Sequence, residues 1–150
     1  MNLLRLILAG ILMLAAGALA ASELMMTRSP QPFAETMLAL QEAIRERGYQ
    51  LSRVQRVDVG LTTFGYQTDK YRVVFFGKPE QLRRLSAGHP ELIPYLPLKV
   101  AIFAEADETL LVAADPREFE RFYPAEDLVP VFEQWARDFE AIFDRLRELE

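Results

Sequence analysis

Few side chains in this chain could carry chemistry, and the first to consider is its single histidine, His89. An imidazole beside a carboxylate would supply the general base of a hydrolase-type reaction. The chain has no cysteine, which excludes thiol nucleophiles, disulfides, c-type haem attachment and thiolate metal sites. A zinc or haem site would need carboxylates for every other ligand. We therefore expect no metal and no cofactor. The alternative role for His89 is that of a loop residue bonded to a nearby carbonyl.

The motifs of common catalytic and nucleotide-binding sites do not occur in the sequence. No Gly-x-Ser-x-Gly segment presents a nucleophilic serine, and Ser86 is merely close to His89 along the chain. The seven glycines are scattered, so no glycine-rich loop can hold a phosphate. The carboxylates of Glu105, Asp107 and Glu108 fall in a predicted turn, where solvation is their ordinary role. The sequence therefore predicts no catalytic residue.

The most usable side chains are basic and aromatic. If a short helix after Pro79 lies beside the strand ends, its cations form a rim over an aromatic floor. Such a rim suits a small anion or an acidic partner surface. We predict a ligand-binding site made of Tyr66, Lys78, Arg83, Arg84 and His89, with Lys70 and Lys99 as further candidates. The alternative is that these side chains only solubilise a strongly apolar part of the chain.

The first twenty residues predict an export signal rather than part of the fold. Arg5 and the amino terminus form a small positive region, and residues 6–16 then run without a charge. Ala18-Leu19-Ala20 has the small-x-small pattern after which signal peptidase cuts. We expect residues 1–20 to be removed and the protein to be periplasmic or secreted. The alternative is an uncleaved anchor, but only sixteen uncharged residues separate Arg5 from Ser22, and a helical span needs about 20.

The remaining residues 21–150 have the size of one domain that can bury its own core. The whole chain carries a net charge of −5. Residues 21–104 hold 11 basic against 8 acidic side chains, whereas residues 105–150 hold 5 against 14. An acidic chain without a basic run argues against nucleic acid as a partner. Its acidic end predicts a solvated helix, or a helix that docks on a basic face of a partner or a second copy.

A first helix is predicted between Ser29 and Gly48. Ser29-Pro30 fits a helix start, because serine caps free N–H groups and proline is tolerated in the first turn. Gly48 fits the end, because glycine adopts the left-handed conformation at low cost. The apolar residues recur at the spacing of one helical face, namely Phe33, Met37, Leu40 and Ile44.

The strands are predicted from short apolar runs. Residues 23–28 are extended, and residues 51–59 form a strand of uncertain register because Val54 opposes the alternation set by Leu51. Residues 60–69 form a turn or hairpin connection. The run 71–76, aromatic and β-branched apart from Arg72, is typical of a strand covered on both faces. We further predict a short helix over 79–85, an ordered loop over 88–97 and a hairpin over 98–113.

A long terminal helix is predicted from Asp127. Its apolar residues form a narrow seam of alternating fours and threes, namely Leu128, Phe132, Trp135, Phe139, Ile142, Leu146 and Leu149. Such a helix either covers an open sheet or pairs with a second copy of itself. Together the elements predict an α+β two-layer sandwich, a single domain over residues 21–150 with a long C-terminal amphipathic helix.

Several segments resemble the domain of unknown function 302 family. They are Arg47-Gly48-Tyr49, Phe75-Phe76-Gly77-Lys78-Pro79, Leu96-Pro97-Leu98-Lys99-Val100 and the turn over 105–107. The resemblance covers about residues 28–116. It implies a strand–helix–four-strand–helix sandwich, similar to the TATA-box-binding-protein-like fold and commonly a homodimer, and it implies no reaction. Many members carry a histidine and an asparagine where this chain has Asp58 and Lys78, so roles of those side chains do not transfer.

These observations predict an exported, non-enzymatic module that binds a small ligand or another protein. We expect a homodimer, with a small anionic or apolar ligand between the sheet and the terminal helix, no nucleic acid and no stable membrane span after cleavage. The alternative is a small periplasmic hydrolase-type enzyme that uses His89 with a carboxylate. A buried His89 within reach of an acid would favour the enzyme, and a His89 exposed at a loop tip would remove it.

Overall fold

The structure, a computed structural model, describes residues 24–149. The predicted signal peptide, residues 1–20, lies outside the described residues. Five strands form one antiparallel sheet: β1 Leu24–Ser29, β2 Gln50–Arg56, β3 Tyr71–Gly77, β4 Leu98–Glu105 and β5 Glu108–Ala114. Their spatial order is β1-β5-β4-β3-β2, so β1 and β2 are the edges and β4 is the middle strand.

The helices lie between and after the strands. The α-helices are α1 Phe33–Glu46, α2 Val57–Thr62, α3 Pro79–Gly88 and α4 Val129–Arg147. Two 3-10 helices, Pro90–Tyr95 and Pro116–Arg121, follow α3 and β5. Helices α1 and α4 contact the strands and each other. The predicted α+β class and strand–helix–four-strand–helix order are confirmed, and the arrangement is compatible with the TATA-box-binding-protein-like fold.

The two faces of the sheet differ in burial. One face, covered by α1 and α4, carries the buried side chains of Val74, Phe76, Val100, Ile102 and Leu111. The other face, called the open face below, carries apolar side chains that are only half-buried or exposed. The prediction that residues 71–76 are covered on both faces is therefore wrong: Val74 and Phe76 are buried, but Val73 and Phe75 are half-buried.

Helix α1 begins later than predicted. Ser29 does not cap it but ends β1, where it is fully buried and accepts a hydrogen bond from Thr36 Oγ1 at 3.0 Å. The strand takes Ser29 because its backbone pairs with Thr109 of β5. The predicted end is confirmed: the helix stops at Glu46, and Gly48 has a φ of +78°.

The region after α1 contains a bulge and a helix that the sequence analysis did not predict. A register shift between Leu51 and Arg53 puts Leu51 and Val54 on the same face of the sheet. On that face they pair with Phe76 and Val74 of β3. This extra residue explains why the apolar alternation of β2 is broken. The strand ends at Arg56, not at residue 59, and α2 occupies the start of the predicted turn. Helix α3 likewise runs to Gly88, and the predicted loop after it is largely a 3-10 helix.

The terminal helix covers the sheet. It begins at Val129 rather than Asp127, and Pro130 lies in its first turn. The apolar seam faces inward, with Leu128, Phe132, Trp135, Phe139, Ile142 and Leu146 all buried within the chain. The alternative in which Trp135, Phe139 and Ile142 form an interface with a second copy is therefore wrong, because these side chains are already packed in the core.

Candidate functional site

His89 lies between α3 and the first 3-10 helix, where two carboxylates form hydrogen bonds with its ring. Its Nε2 is 2.8 Å from Asp127 Oδ2, and its Nδ1 is 3.2 Å from Glu91 Oε1. The hydrogen bond with Asp127, supported by Glu91, raises the pKa of His89 above its ordinary value. The same bond lowers the pKa of Asp127. The arrangement favours an imidazolium that donates from both nitrogens, which is the opposite of a free general base.

No nucleophile stands ready beside this histidine in the described residues. Ser86, the nearest serine along the chain, donates its hydroxyl to Leu82 O at 2.6 Å inside helix α3. Both carboxylates next to His89 are substantially exposed, whereas the His89 side chain itself is only 19% exposed. The histidine thus joins α3 to the segment before α4 as a surface ion pair. His89 lies within hydrogen-bond distance of an acid, as the enzyme alternative requires. However, both of its ring nitrogens are already bonded, to Asp127 and Glu91.

Lys78 points toward a buried carboxylate. Asp138 of α4 is 4% exposed and accepts hydrogen bonds from Tyr49 Oη at 2.7 Å and Gln134 Nε2 at 3.1 Å. Lys78 Nζ lies 3.8 Å from Asp138 Oδ2 and 4.3 Å from the centre of the Tyr49 ring. Burial, reinforced by Asp138, raises the pKa of the Tyr49 hydroxyl, so it remains a donor. This cluster ties α4 to the end of α1 and the start of α3.

The other predicted ligand residues are not brought together with Lys78. Arg83 pairs with Glu80 one turn earlier on α3, and Arg84 is exposed on the same helix. Tyr66 is exposed on the connection between α2 and β3. The cationic rim predicted from Lys78, Arg83 and Arg84 therefore has one member turned to Asp138 and another to Glu80. Ligand binding by these side chains stays a prediction.

An apolar pocket lies at the end of the sheet beside the terminal helix. It has a volume of about 250 Å³, and its lining comprises Tyr95, Leu98, Lys99, Ala114, Pro116, Phe119 and Phe139. The two 3-10 helices form its outer wall: the Tyr95 and Phe119 rings are 5.4 Å apart. Phe119 in turn contacts the buried ring of Phe132 at 5.7 Å, which fixes this wall to the core. Lys99 is the single charged residue of the lining.

A wider groove runs between β1 and the end of α4. Its volume is about 680 Å³. Four carboxylates and two arginines line it, and both arginines are already paired: Arg117 bonds Asp115 at 2.7 Å and Glu140 at 3.0 Å, and Arg147 pairs with Asp144 at 3.2 Å. Because the lining is acidic overall and its arginines are engaged, the groove suits a small apolar ligand less than the smaller apolar pocket does.

Known proteins resemble this chain both in sequence and in fold. The family model described as "Domain of unknown function DUF302" matches residues 25–146, most of the chain. The chain belongs to the DUF302 family. A crystal structure of an uncharacterized conserved DUF302 protein from Bacillus stearothermophilus superposes with a TM-score of 0.76 at 17% sequence identity. The superposition covers 85% of this chain and 100% of the Bacillus stearothermophilus chain. The resemblance to the family is thus confirmed, and the superposition shows a shared fold. No curated protein matches.

The pocket of this DUF302 chain was missed in the sequence. Tyr95 lies in a proline-rich segment that predicts only a loop, and Phe119 lies beyond the predicted hairpin. Phe139 belongs to a seam that predicts core packing, which is also where it is buried. The one usable signal was Lys99, the last of the candidate cations. Its neighbours are distant in sequence, so only the fold brings them together.

Two further observations concern the described part of this DUF302 chain. Among residues 24–149, no three histidine, aspartate or glutamate side chains stand close enough together to hold a metal ion. Within the same residues, no helix has both the length and the apolar character required to cross a bilayer.

Proposed function

We propose that the protein is an exported, non-enzymatic module that binds a small, mainly apolar ligand. The observation that carries the proposal is the pocket at the end of the sheet, where three aromatic rings and four other residues enclose about 250 Å³. The pocket lies beside the terminal helix and includes none of the five residues that the sequence analysis predicted as ligand-binding. Concave, aromatic-lined sites with few polar groups are typical of small-molecule binding.

The size of the pocket sets the class of ligand. An apolar cavity of roughly 150 Å³ already admits benzene. A pocket of about 250 Å³ therefore suits a compact molecule somewhat larger than benzene. Small ligands gain between about 0.3 and 1.5 kcal/mol per non-hydrogen atom. For about ten such atoms, intermediate values correspond to dissociation constants near the micromolar range.

The chemistry of the lining supports binding rather than bond-breaking. Tyr95, Phe119 and Phe139 offer ring faces, and none of the lining residues is a histidine, serine or carboxylate. A hydrolase built on His89 has one observation in its favour, the 2.8 Å contact with Asp127. That contact also uses the nitrogen that would have to accept a proton, and Glu91 engages the other. We therefore rank the binding function above the hydrolase.

Titration with a neutral fluorescent probe, 1-aminoanthracene, tests the ligand site. We expect saturable binding by the wild type and at least a tenfold weaker affinity for Tyr95→Ala and Phe119→Ala, because each removes one wall of the pocket. Phe122→Ala is the matched control, since Phe122 is 71% exposed and outside the pocket lining. Circular dichroism checks that each variant is folded. Unchanged affinity in both pocket variants, with folding intact, would contradict the proposal.

A further inference from the structure

The apolar pocket has a cationic mouth. Within residues 24–149, Lys99 is the one charged side chain of its lining. Leu98 and Phe139 of the same lining are buried, whereas Lys99 is exposed. The pocket therefore runs from an apolar floor to an ammonium group at its open end. Lys99 also lines a second apolar depression, on the open face of the sheet, beside Phe75.

The charge of Lys99 is not neutralised by the rest of the described chain. Its side chain forms no salt bridge and no hydrogen bond within residues 24–149. The two carboxylates that follow β5 next to the lining are both engaged, Asp115 by Arg117 and Glu118 by Arg121. The mouth of the pocket is therefore positive, although the whole chain carries a net charge of −5.

The other polar side chain of the lining is already occupied. The rings of Tyr95 and Tyr123 are 5.7 Å apart, and hydrogen bonding with Tyr95 raises the pKa of Tyr123. The Tyr95 hydroxyl is thus turned to a neighbouring tyrosine. Among the lining side chains, the Lys99 ammonium is the polar group that a ligand can use.

A second cation adds to the positive potential at this end of the sheet. Phe75 of β3 pairs with Lys99 on one side and with Arg53 of β2 on the other. Arg53 is exposed and has no salt bridge within the described residues. Neighbouring strands are about 4.8 Å apart, so the backbones of the two cations are on the order of 10 Å apart. Two like charges at this distance together attract an anion.

We propose that the ligand of this pocket is a small carboxylic acid with an aromatic or branched apolar body. The body lies among the rings of Tyr95, Phe119 and Phe139, and the carboxylate pairs with the Lys99 ammonium at the mouth. There the carboxylate keeps part of its hydration, so binding avoids the cost of burying a charge. The inference rests on the proposed binding function and adds the chemical class of the ligand.

A single lysine suits one negative charge better than two. Lysine is a compact point charge and lacks the planar fork with which arginine holds two oxygens of a phosphate. The lining found in the described residues contains no arginine. A phosphate ester would leave much of its charge unpaired here, and a cationic ligand would be repelled by Lys99.

Competition against bound 1-aminoanthracene tests the charge of the ligand. The competitors are phenylacetate, its neutral isostere phenylacetamide and the cation 2-phenylethylammonium. We expect phenylacetate to bind about fivefold more tightly than phenylacetamide, the upper value for an exposed ion pair, and the cation to bind most weakly. The preference should decline between about 20 mM and about 500 mM NaCl, because salt screens an exposed pair. Equal displacement by the three compounds would overturn the proposal.

Substitution of Lys99 tests which side chain recognises the acid. Lys99→Met keeps an apolar stem and should bind 1-aminoanthracene like the wild type, but the affinity ratio of phenylacetate to phenylacetamide should fall to about one. Lys99→Arg should retain the preference. Lys70→Met is the matched control, because it removes the same charge from an exposed lysine outside this lining. A folded Lys99→Met variant that keeps the wild-type preference would overturn the assignment.

The same measurements separate this proposal from the proposed function. A wild type that binds neither 1-aminoanthracene nor, by calorimetry, phenylacetate would refute the pocket as a binding site, and both proposals would fail. A wild type that binds 1-aminoanthracene, but on which phenylacetate competes no better than phenylacetamide, would refute only the recognition of an acid.

Discussion

At the scale of single residues, the most informative groups are charged side chains that hold each other in place. Lys78 was predicted as a ligand residue because it falls in a cationic rim beside a strand end, and His89 was included as the single imidazole of the chain. The structure gives His89 two carboxylate partners and Lys78 a buried one. Asp127, the partner that bonds His89 Nε2, lies 38 residues away, and the Tyr49–Asp138 bond spans 89 residues. No sequence spacing can reveal contacts of that range.

The hydrogen bonds of His89 with Asp127 and Glu91 predict that the stability of the fold depends on pH. Because the pKa of His89 is raised in the folded chain, these bonds contribute their full stabilisation below the ordinary value of 6.5. That stabilisation is lost as the pH rises through the raised pKa. Because the pKa of Asp127 is lowered, its part is present above 3.8 and lost only in stronger acid. We expect His89→Gln to lower the Tm at pH 5.5 and to have much less effect at pH 9.

Thermal melts of wild type and variant at the two pH values check this expectation. Asp107→Asn, in the exposed turn between β4 and β5, is the control and should show no such pH dependence. An equal loss of Tm at both pH values would mean that His89 acts through packing and not through its charge.

At the scale of elements, the sequence predicted most helices and strands where a regular apolar pattern met a clear stop. The α4 seam and the hairpin of β4 and β5 were predicted because their periodicity is uninterrupted. The wrong predictions of strand and helix bounds occur where a bulge, a hydrogen bond or a strand pairing overrides the apolar pattern of the sequence. The bulge at Leu51 hid the register of β2, and α2 forms where Asp58 bonds both Val59 N and Arg72. The sheet pairing of Ser29 overrode its preference as a helix cap.

The glycine after α1 allows a direct test at this scale. Gly48 has a φ of +78°, so Gly48→Ala places a side chain in the left-handed region and should destabilise the fold by about 1–2 kcal/mol. Gly88 ends α3, lies outside the left-handed region and has open space at its Cβ position. Gly88→Ala should therefore be neutral or stabilising by up to about 1 kcal/mol. Urea unfolding measures both, and equal effects would contradict this assignment of the cap.

At the scale of the whole molecule, burial decides which surfaces remain for function. The sequence predicted the α+β sandwich and the DUF302 family, because both follow from element order and from structural turns. It did not predict the pocket or the open face. The pocket joins residues from two 3-10 helices, two strands and α4, and the open face exists because both long helices cover the same side of the sheet. Those are properties of the assembled chain.

The central claim is that this protein acts by holding a small molecule and not by transforming one. Native mass spectrometry of the protein recovered after expression with its own first twenty residues tests it most directly. The account predicts a chain beginning at Ala21 that carries one small apolar molecule, and loss of that added mass in Phe119→Ala. A protein that carries no such molecule and fails to bind 1-aminoanthracene would contradict it.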